Sequence, residues 1–320
     1  MKKSAKIWLI TASSLFLVGL IIFIAAMSAV KWDFTKLSNE KYETNSYEIE
    51  NEYQSISVNA STAVITVALS DTQKTSVVCY EEEKSRHSVS VVDDSLVIKV
   101  VNTKKWYDNI GINFGTPKIT IYLPLKEYSS LKIKASTGNV YLPKEIKFEN
   151  IDVSLSTGNV KNLASATSLI KIKTTTGYIN VSDISAGALS LTTSTGAIQL
   201  SNVSTDGDVT THVSTGRVKI ENLKCKSLTS VGDTGRISLK NTVAAESLSI
   251  KRDTGNVSLT SCDAAKILIK TDTGDVKGSL RSEKVFIVRT DTGSINVPQT
   301  TSGGICEITT DTGDIKITVE

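Results

Sequence analysis

The sequence predicts an all-β protein: a single-stack parallel β-solenoid of 19–20-residue rungs, preceded by one N-terminal transmembrane helix. Three observations predict it. Ile7 to Val30 is a run of 24 residues without a charge. The dipeptide Thr-Gly recurs ten times, at steps of 19 or 20 residues, with its glycine running from Gly138 to Gly313. Around each of these glycines, apolar and outward polar positions alternate with period two, the signature of short strands with one buried face.

Residues 1–6 carry Lys2, Lys3 and Lys6 and read as a cytoplasmic N-terminus. A helix over 7–30 would span about 36 Å at about 1.5 Å per residue, enough for a hydrocarbon core of about 30 Å. Cleaved signal peptides have apolar regions of only about 7–15 residues. A retained anchor is therefore expected, despite a weak cleavage pattern at Ala26-Met27-Ser28. The early lysines place the N-terminus inside, and Trp8 and Trp32 fall near the two interfaces. The expected location is the cell membrane, single-pass, with the C-terminal body extracellular.

Residues 31–52 mix Lys, Glu, Asn, Ser and Thr with isolated aromatics and no sustained period, and read as an extracytoplasmic tether. Residues 53–130 read as an irregular β region or cap of the solenoid. Ser55 to Val67 aligns as a degenerate rung once Ile56 is set against Leu131, with Ala63 in the glycine position. Four further strands (77–80, 87–92, 95–101 and 118–124) lack the turn signature. From Ala63 to Gly138 is about four rungs' worth of chain at about 20 residues each, and Trp106 to Gly115 is the expected protruding loop.

Residues 131–320 hold the ten regular rungs. Seven residues before the glycine, all ten positions are apolar, from Leu131 to Cys306. Five before it, Thr211 and Ser230 are the two exceptions among ten. Two after it, all ten are β-branched, from Val140 to Ile315. This period and composition exclude helix. Identical wording in each unit favours stacking in register over a meander of hairpins. The glycine is expected at a bend needing positive φ. The preceding Thr is expected to bond the turn backbone.

Composition excludes several functions. Apart from Lys2, Lys3 and Lys6, 33 basic residues face 33 acidic ones, so nothing argues for nucleic acid. His87 and His212 stand far apart in sequence, and with four cysteines they are too few for a multi-ligand zinc site or a triad. No bridge follows from the spacing of Cys225, Cys262 and Cys306.

Asp233, Asp253, Asp272, Asp291 and Asp311 each open an Asp-Thr-Gly triplet, a pattern shared with aspartic proteases. Those enzymes need two facing loops whose carboxylates share a proton, whereas here five copies line one edge. Stacked carboxylates about 5 Å apart also match retaining glycosidases, but no rung adds a distinct acid, base or stacking aromatic. Calcium is the stronger rival, with Asp272, Asp275, Asp291, Asp311 and Asp314 as candidate ligands. The preferred reading is structural: turn-bracing side chains, with no catalytic residue and no cofactor.

From ASTGNVYL at 135–142 to TDTGDIKI at 310–317, the array resembles the adhesin-like, or LiaG-like, β-strand-repeat envelope proteins of Gram-positive bacteria. The resemblance covers residues from about 50 to 320 and implies an extracytoplasmic solenoid, some relatives being associated with envelope stress. It supplies no catalytic or binding residues to carry over. Two function classes follow. One is a non-enzymatic envelope protein binding a cell-wall polymer or an envelope protein. The alternative is a β-helix enzyme acting on a surface polysaccharide.

Overall fold

The computed structural model describes residues 3–33, 41–109 and 115–320. Helix α1 (Lys3–Ala29) is 27 residues long and contains an 18-residue stretch of mean hydropathy 2.5, long and apolar enough to cross a membrane. The strands among the described residues form one 20-stranded sheet wound into a parallel solenoid.

The regular rungs stack in register. Leu131 lies against Ile151, Ile151 against Ile170, and Leu189 against Val209, so each inward residue meets its equivalent one layer away. These columns form one continuous core, which buries Leu131, Ile170, Leu228 and Ile267 completely. The two polar exceptions pair with each other: buried Thr211 donates its hydroxyl to Ser230 at 2.8 Å. At the bend, the glycine N–H donates to the next layer's Thr carbonyl, as from Gly138 to Thr157 at 3.0 Å and from Gly235 to Thr254 at 2.8 Å.

The N-terminal part is more compact than its chain length suggests. Strands β2 (Ser55–Thr62) and β3 (Val64–Leu69) form a rung that stacks directly on the Gly138 rung. Ile56 pairs with Leu131, Ile65 with Val140, and the Ala63 N–H donates to Thr137 O at 3.0 Å. No four rungs intervene. Instead β4 (Thr75–Glu82), β5 (Ser85–Val92), β6 (Ser95–Asn102) and β7 (Lys118–Leu123) leave the stack as one excursion. Strands β6 and β7 add a layer on the far side of β2 and β3. Strands β5 and β4 then pair antiparallel with β6 and β7, closing that end.

The expected tether is corrected in part. Residues 42–49 form strand β1 (Tyr42–Ile49), antiparallel to β4. An edge strand is recruited chiefly by the open backbone groups of its neighbour, so its sequence needs little apolar periodicity. Trp106–Asn109 forms a short 3-10 turn, and the rest of the expected loop, up to residue 114, lies outside the described residues.

The other end of the stack departs from chain order. Strand Gly304–Thr312 pairs with Val257–Thr273 on one side and with Lys284–Thr292 on the other. Ile267 therefore neighbours Cys306, and Cys306 neighbours Phe286. The last two rungs are interchanged in space. The Phe286 rung becomes the terminal layer, with Ile287 and Ile295 exposed.

Candidate functional site

Asp233, Asp253, Asp272, Asp291 and Asp311 all point outward and are exposed. Their column runs Asp272, Asp311, Asp291 at its end, because of the interchange. Only Asp291 has an ion-pair partner, Arg289 at 3.0 Å. Among the described residues, no side chain of these five, or of the threonines before the glycines, bonds the turn backbone. The expectation that these side chains brace the bend is therefore corrected. The bend N–H groups are already taken by the next layer, which leaves outward side chains nothing to hold.

Other residues do the bracing. Inward hydroxyls of Thr174, Thr193, Thr271, Thr290 and Thr310, three before the glycine, donate to the glycine carbonyl of an adjacent layer. The residue after the glycine accepts the backbone N–H of its counterpart: Asn139 from Asn159, Asn159 from Tyr178, Asn256 from Asp275, Asp275 from Asp314, and Asp314 from Ser294. Two calcium candidates, Asp275 and Asp314, thus each commit an oxygen to this ladder. Lys277 holds the Asp275 carboxyl below its ordinary range, aided by the Asp314 N–H. The Ser294 N–H and hydroxyl do the same for Asp314.

A second ladder had no counterpart in the sequence reading. Asp183, Asn202, Asn222 and Asn241 occupy positive φ of 49–57° at another corner. Asn202 donates to Asp183 at 2.8 Å, Asn222 to Asn202 at 2.7 Å, and Asn241 to Asn222 at 3.0 Å. Asn and Asp tolerate this left-handed conformation best after glycine. Their 19–20-residue recurrence was the available signal.

The structure also assembles a group that the sequence separates. Cys79 and Glu81 on β4 and His87 on β5 are all buried, and a donor atom from each lies within 4.8 Å of the other two. It is the one such three-donor group among the described residues. The sequence reading gave His87 no neighbouring ligand; the β4–β5 hairpin folds residues 79–87 onto each other and supplies two. Glu81 Oε2 accepts from the His87 backbone N–H at 2.5 Å and stands 2.6 Å from His87 Nδ1, while Asn45 of β1 donates to Oε1 at 2.8 Å. His87 Nε2 is buried without a partner. Burial pushes the Cys79 thiol up to about 12, with Glu81 adding to the rise. His87 lines a pocket of about 230 Å³ shared with Thr62, Glu82, Asn102 and Lys104.

A shallow groove of about 440 Å³ crosses the outer face of the strands that follow the glycines. Tyr178, Gln199, Arg217, Lys219, Arg236 and Ser238 line it, and no carboxylate does. Tyr178 donates its hydroxyl to Gln199, which fixes the ring across two layers. Arg217, Lys219 and Arg236 are exposed, and Lys219 pairs with Glu221 at 3.0 Å just outside the groove. The parallel register places Arg217 and Lys219 on one rung and Arg236 on the next, since Val218 pairs with Ile237.

The family model described as Toastrack DUF4097 matches residues 53–213 and 205–320, including the excursion between Ala63 and Gly138. Among solved structures, the chain is similar to an inferred adhesin of Parabacteroides distasonis, at 12% identity over 88% of this chain and 98% of that one, TM-score 0.46. It is also similar to an inferred lipid-binding protein of the same organism, at 18% identity with 88% and 98% covered, TM-score 0.46. An inferred adhesin of Bacteroides fragilis shares 18% identity, with 88% and 99% covered and a TM-score of 0.39. No curated protein matches the chain.

Proposed function

The chain belongs to the Toastrack DUF4097 family, and from that premise we propose a membrane-anchored, non-enzymatic solenoid of the bacterial cell envelope that binds an anionic surface polymer. The observation that carries the reading is the groove of Tyr178, Arg217, Lys219 and Arg236. Arg217 and Arg236, which have no ion-pair partner among the described residues, suit a chain of phosphate or carboxylate groups, with Lys219 beside them shared with Glu221 at 3.0 Å. Arg217 and Arg236 hold equivalent positions on rungs about 4.8 Å apart, so a linear polymer can meet both. Individually weak contacts of that kind gain by multivalency.

The anchor follows from α1, whose uncharged run exceeds a signal-peptide core, with lysines on its N-terminal flank. Residues 7–30 then hold the membrane and the solenoid faces outward. Protease added to intact, wall-stripped cells should remove the solenoid, and a protected C-terminal body would refute this orientation. The non-enzymatic reading is supported by the aspartate column, whose five members are all exposed and share one position of the repeat, Asp291 alone adding an arginine partner.

The binding test is co-sedimentation of the full chain, in detergent micelles, with cell-wall preparations that retain or lack their phosphate-rich polymer. Binding should require the polymer and weaken as salt rises from 50 to about 300 mM, because exposed charges are screened over a few ångströms at high salt. Arg217→Ala/Lys219→Ala/Arg236→Ala should abolish it without shifting the melting temperature. Equal binding to stripped wall, or binding undiminished in the triple variant, would overturn the assignment.

A further inference from the structure

We propose that Cys79, Glu81 and His87 form a binding site for a thiophilic divalent cation of the zinc type. Convergence carries this: three buried side chains of different donor chemistry bring one ligand atom each to within 4.8 Å of the others. An ion about 2.0–2.3 Å from each donor needs only a modest adjustment of that triangle. His87 Nδ1 already stands 2.6 Å from Glu81 Oε2, and an ion bound by both takes the place of that hydrogen bond.

The donor set selects the class of ion. Sulfur and imidazole nitrogen favour zinc and similar borderline ions, whereas calcium and magnesium take oxygen shells. Of the three residues, His87 lines the adjoining pocket of about 230 Å³. On binding, the Cys79 thiol gives its proton to solvent and the sulfur coordinates as thiolate. Because Asn45 of β1 holds Glu81, an ion here ties β1, β4 and β5 together and fastens the closed end of the solenoid.

The test uses the full chain in detergent micelles, stripped of metal and titrated with Co²⁺ as a spectroscopic probe. One equivalent should produce a thiolate-to-cobalt charge-transfer band that Zn²⁺ then bleaches. Cys225→Ser/Cys262→Ser/Cys306→Ser, which leaves Cys79 as the sole thiol, should keep the band. Cys79→Ser should lose it and bind zinc at least about 100-fold more weakly, and Glu81→Gln should weaken zinc by about 10–100-fold. Absence of the band in the wild-type chain, or its survival in Cys79→Ser, would overturn the proposal. The wild-type titration decides even if a variant fails to fold, and it is independent of polymer binding at the distant groove.

Discussion

At Gly216 the backbone takes φ 141°, and a Cβ placed there would lie 1.6 Å from the carbonyl oxygen of Gly196. Close stacking, in addition to the left-handed backbone, requires glycine at this point. Gly216→Ala should therefore destabilise by at least about 3 kcal/mol in denaturant titration. The exposed Asp233→Asn should stay within about 0.5 kcal/mol. Arg252 poses the opposite case. It is fully buried, donates from Nη1 to Val213 O at 2.8 Å, and leaves Nε and Nη2 unpartnered. Its guanidinium occupies the space above Gly232, where a Cβ would meet Nη1 at 1.7 Å. Burial lowers its affinity for its proton. Replacing a poorly satisfied buried charge by a hydrophobe of similar volume is often neutral or stabilising. Arg252→Met should hold or raise the melting temperature, and a large fall would show that the single bond to Val213 outweighs desolvation.

Among the elements, the ladders set how the stack responds to acid. Asp275 and Asp314 accept backbone N–H groups as carboxylates, and their ionisation is favoured in the folded state. A depressed folded pKa gives stability that is complete above the unfolded value, near 3.9, and is lost as pH falls through the folded value. These two groups thus leave the melting temperature level from about pH 7 to 5 and lower it below about pH 4. Asp275→Asn keeps an acceptor without a titrating proton, so its acid loss should be shallower. An identical acid profile in that variant would assign the sensitivity to other lowered carboxyls, such as Asp263 beside Lys284.

For the whole molecule, the interchange of the last two rungs makes a geometric prediction. Lys270 pairs with Thr309, and Thr309 pairs with Arg289. Register neighbours in adjacent strands lie about 4.8 Å apart, within disulfide reach, whereas residues two layers apart are about 9–10 Å away. Under mild oxidation, Lys270→Cys/Thr309→Cys should cross-link within the chain and Lys270→Cys/Arg289→Cys should not. Stacking in chain order would reverse the two results. The interchange also leaves the two ends of the rod unlike each other. Antiparallel strands β1, β4 and β5 close one end, while at the other the outer edge of Lys284–Thr292 has no strand partner among the described residues and Ile287 and Ile295 face solvent.

The sequence by itself determined the period, the inward columns and the bend, because each is a local rule repeated ten times: alternation fixes a buried face, and a crowded bend admits only glycine. It also determined the degenerate rung, since Ile56 aligns with Leu131 by the same columns that pair them in the sheet. Only the tertiary structure decided the rest. Which rung lies beside which is not written in any rung, because equivalent faces fit one another equally well; the Cys306 and Phe286 layers exchange places for that reason. Strand β1 was hidden because its place depends on the open edge of β4 more than on its own apolar content. The candidate sites were hidden for the same reason. Tyr178, Arg217 and Arg236 become one groove only when 19- and 20-residue spacings collapse to adjacent layers, and Cys79, Glu81 and His87 converge only when a hairpin folds two polar segments into a closed interior.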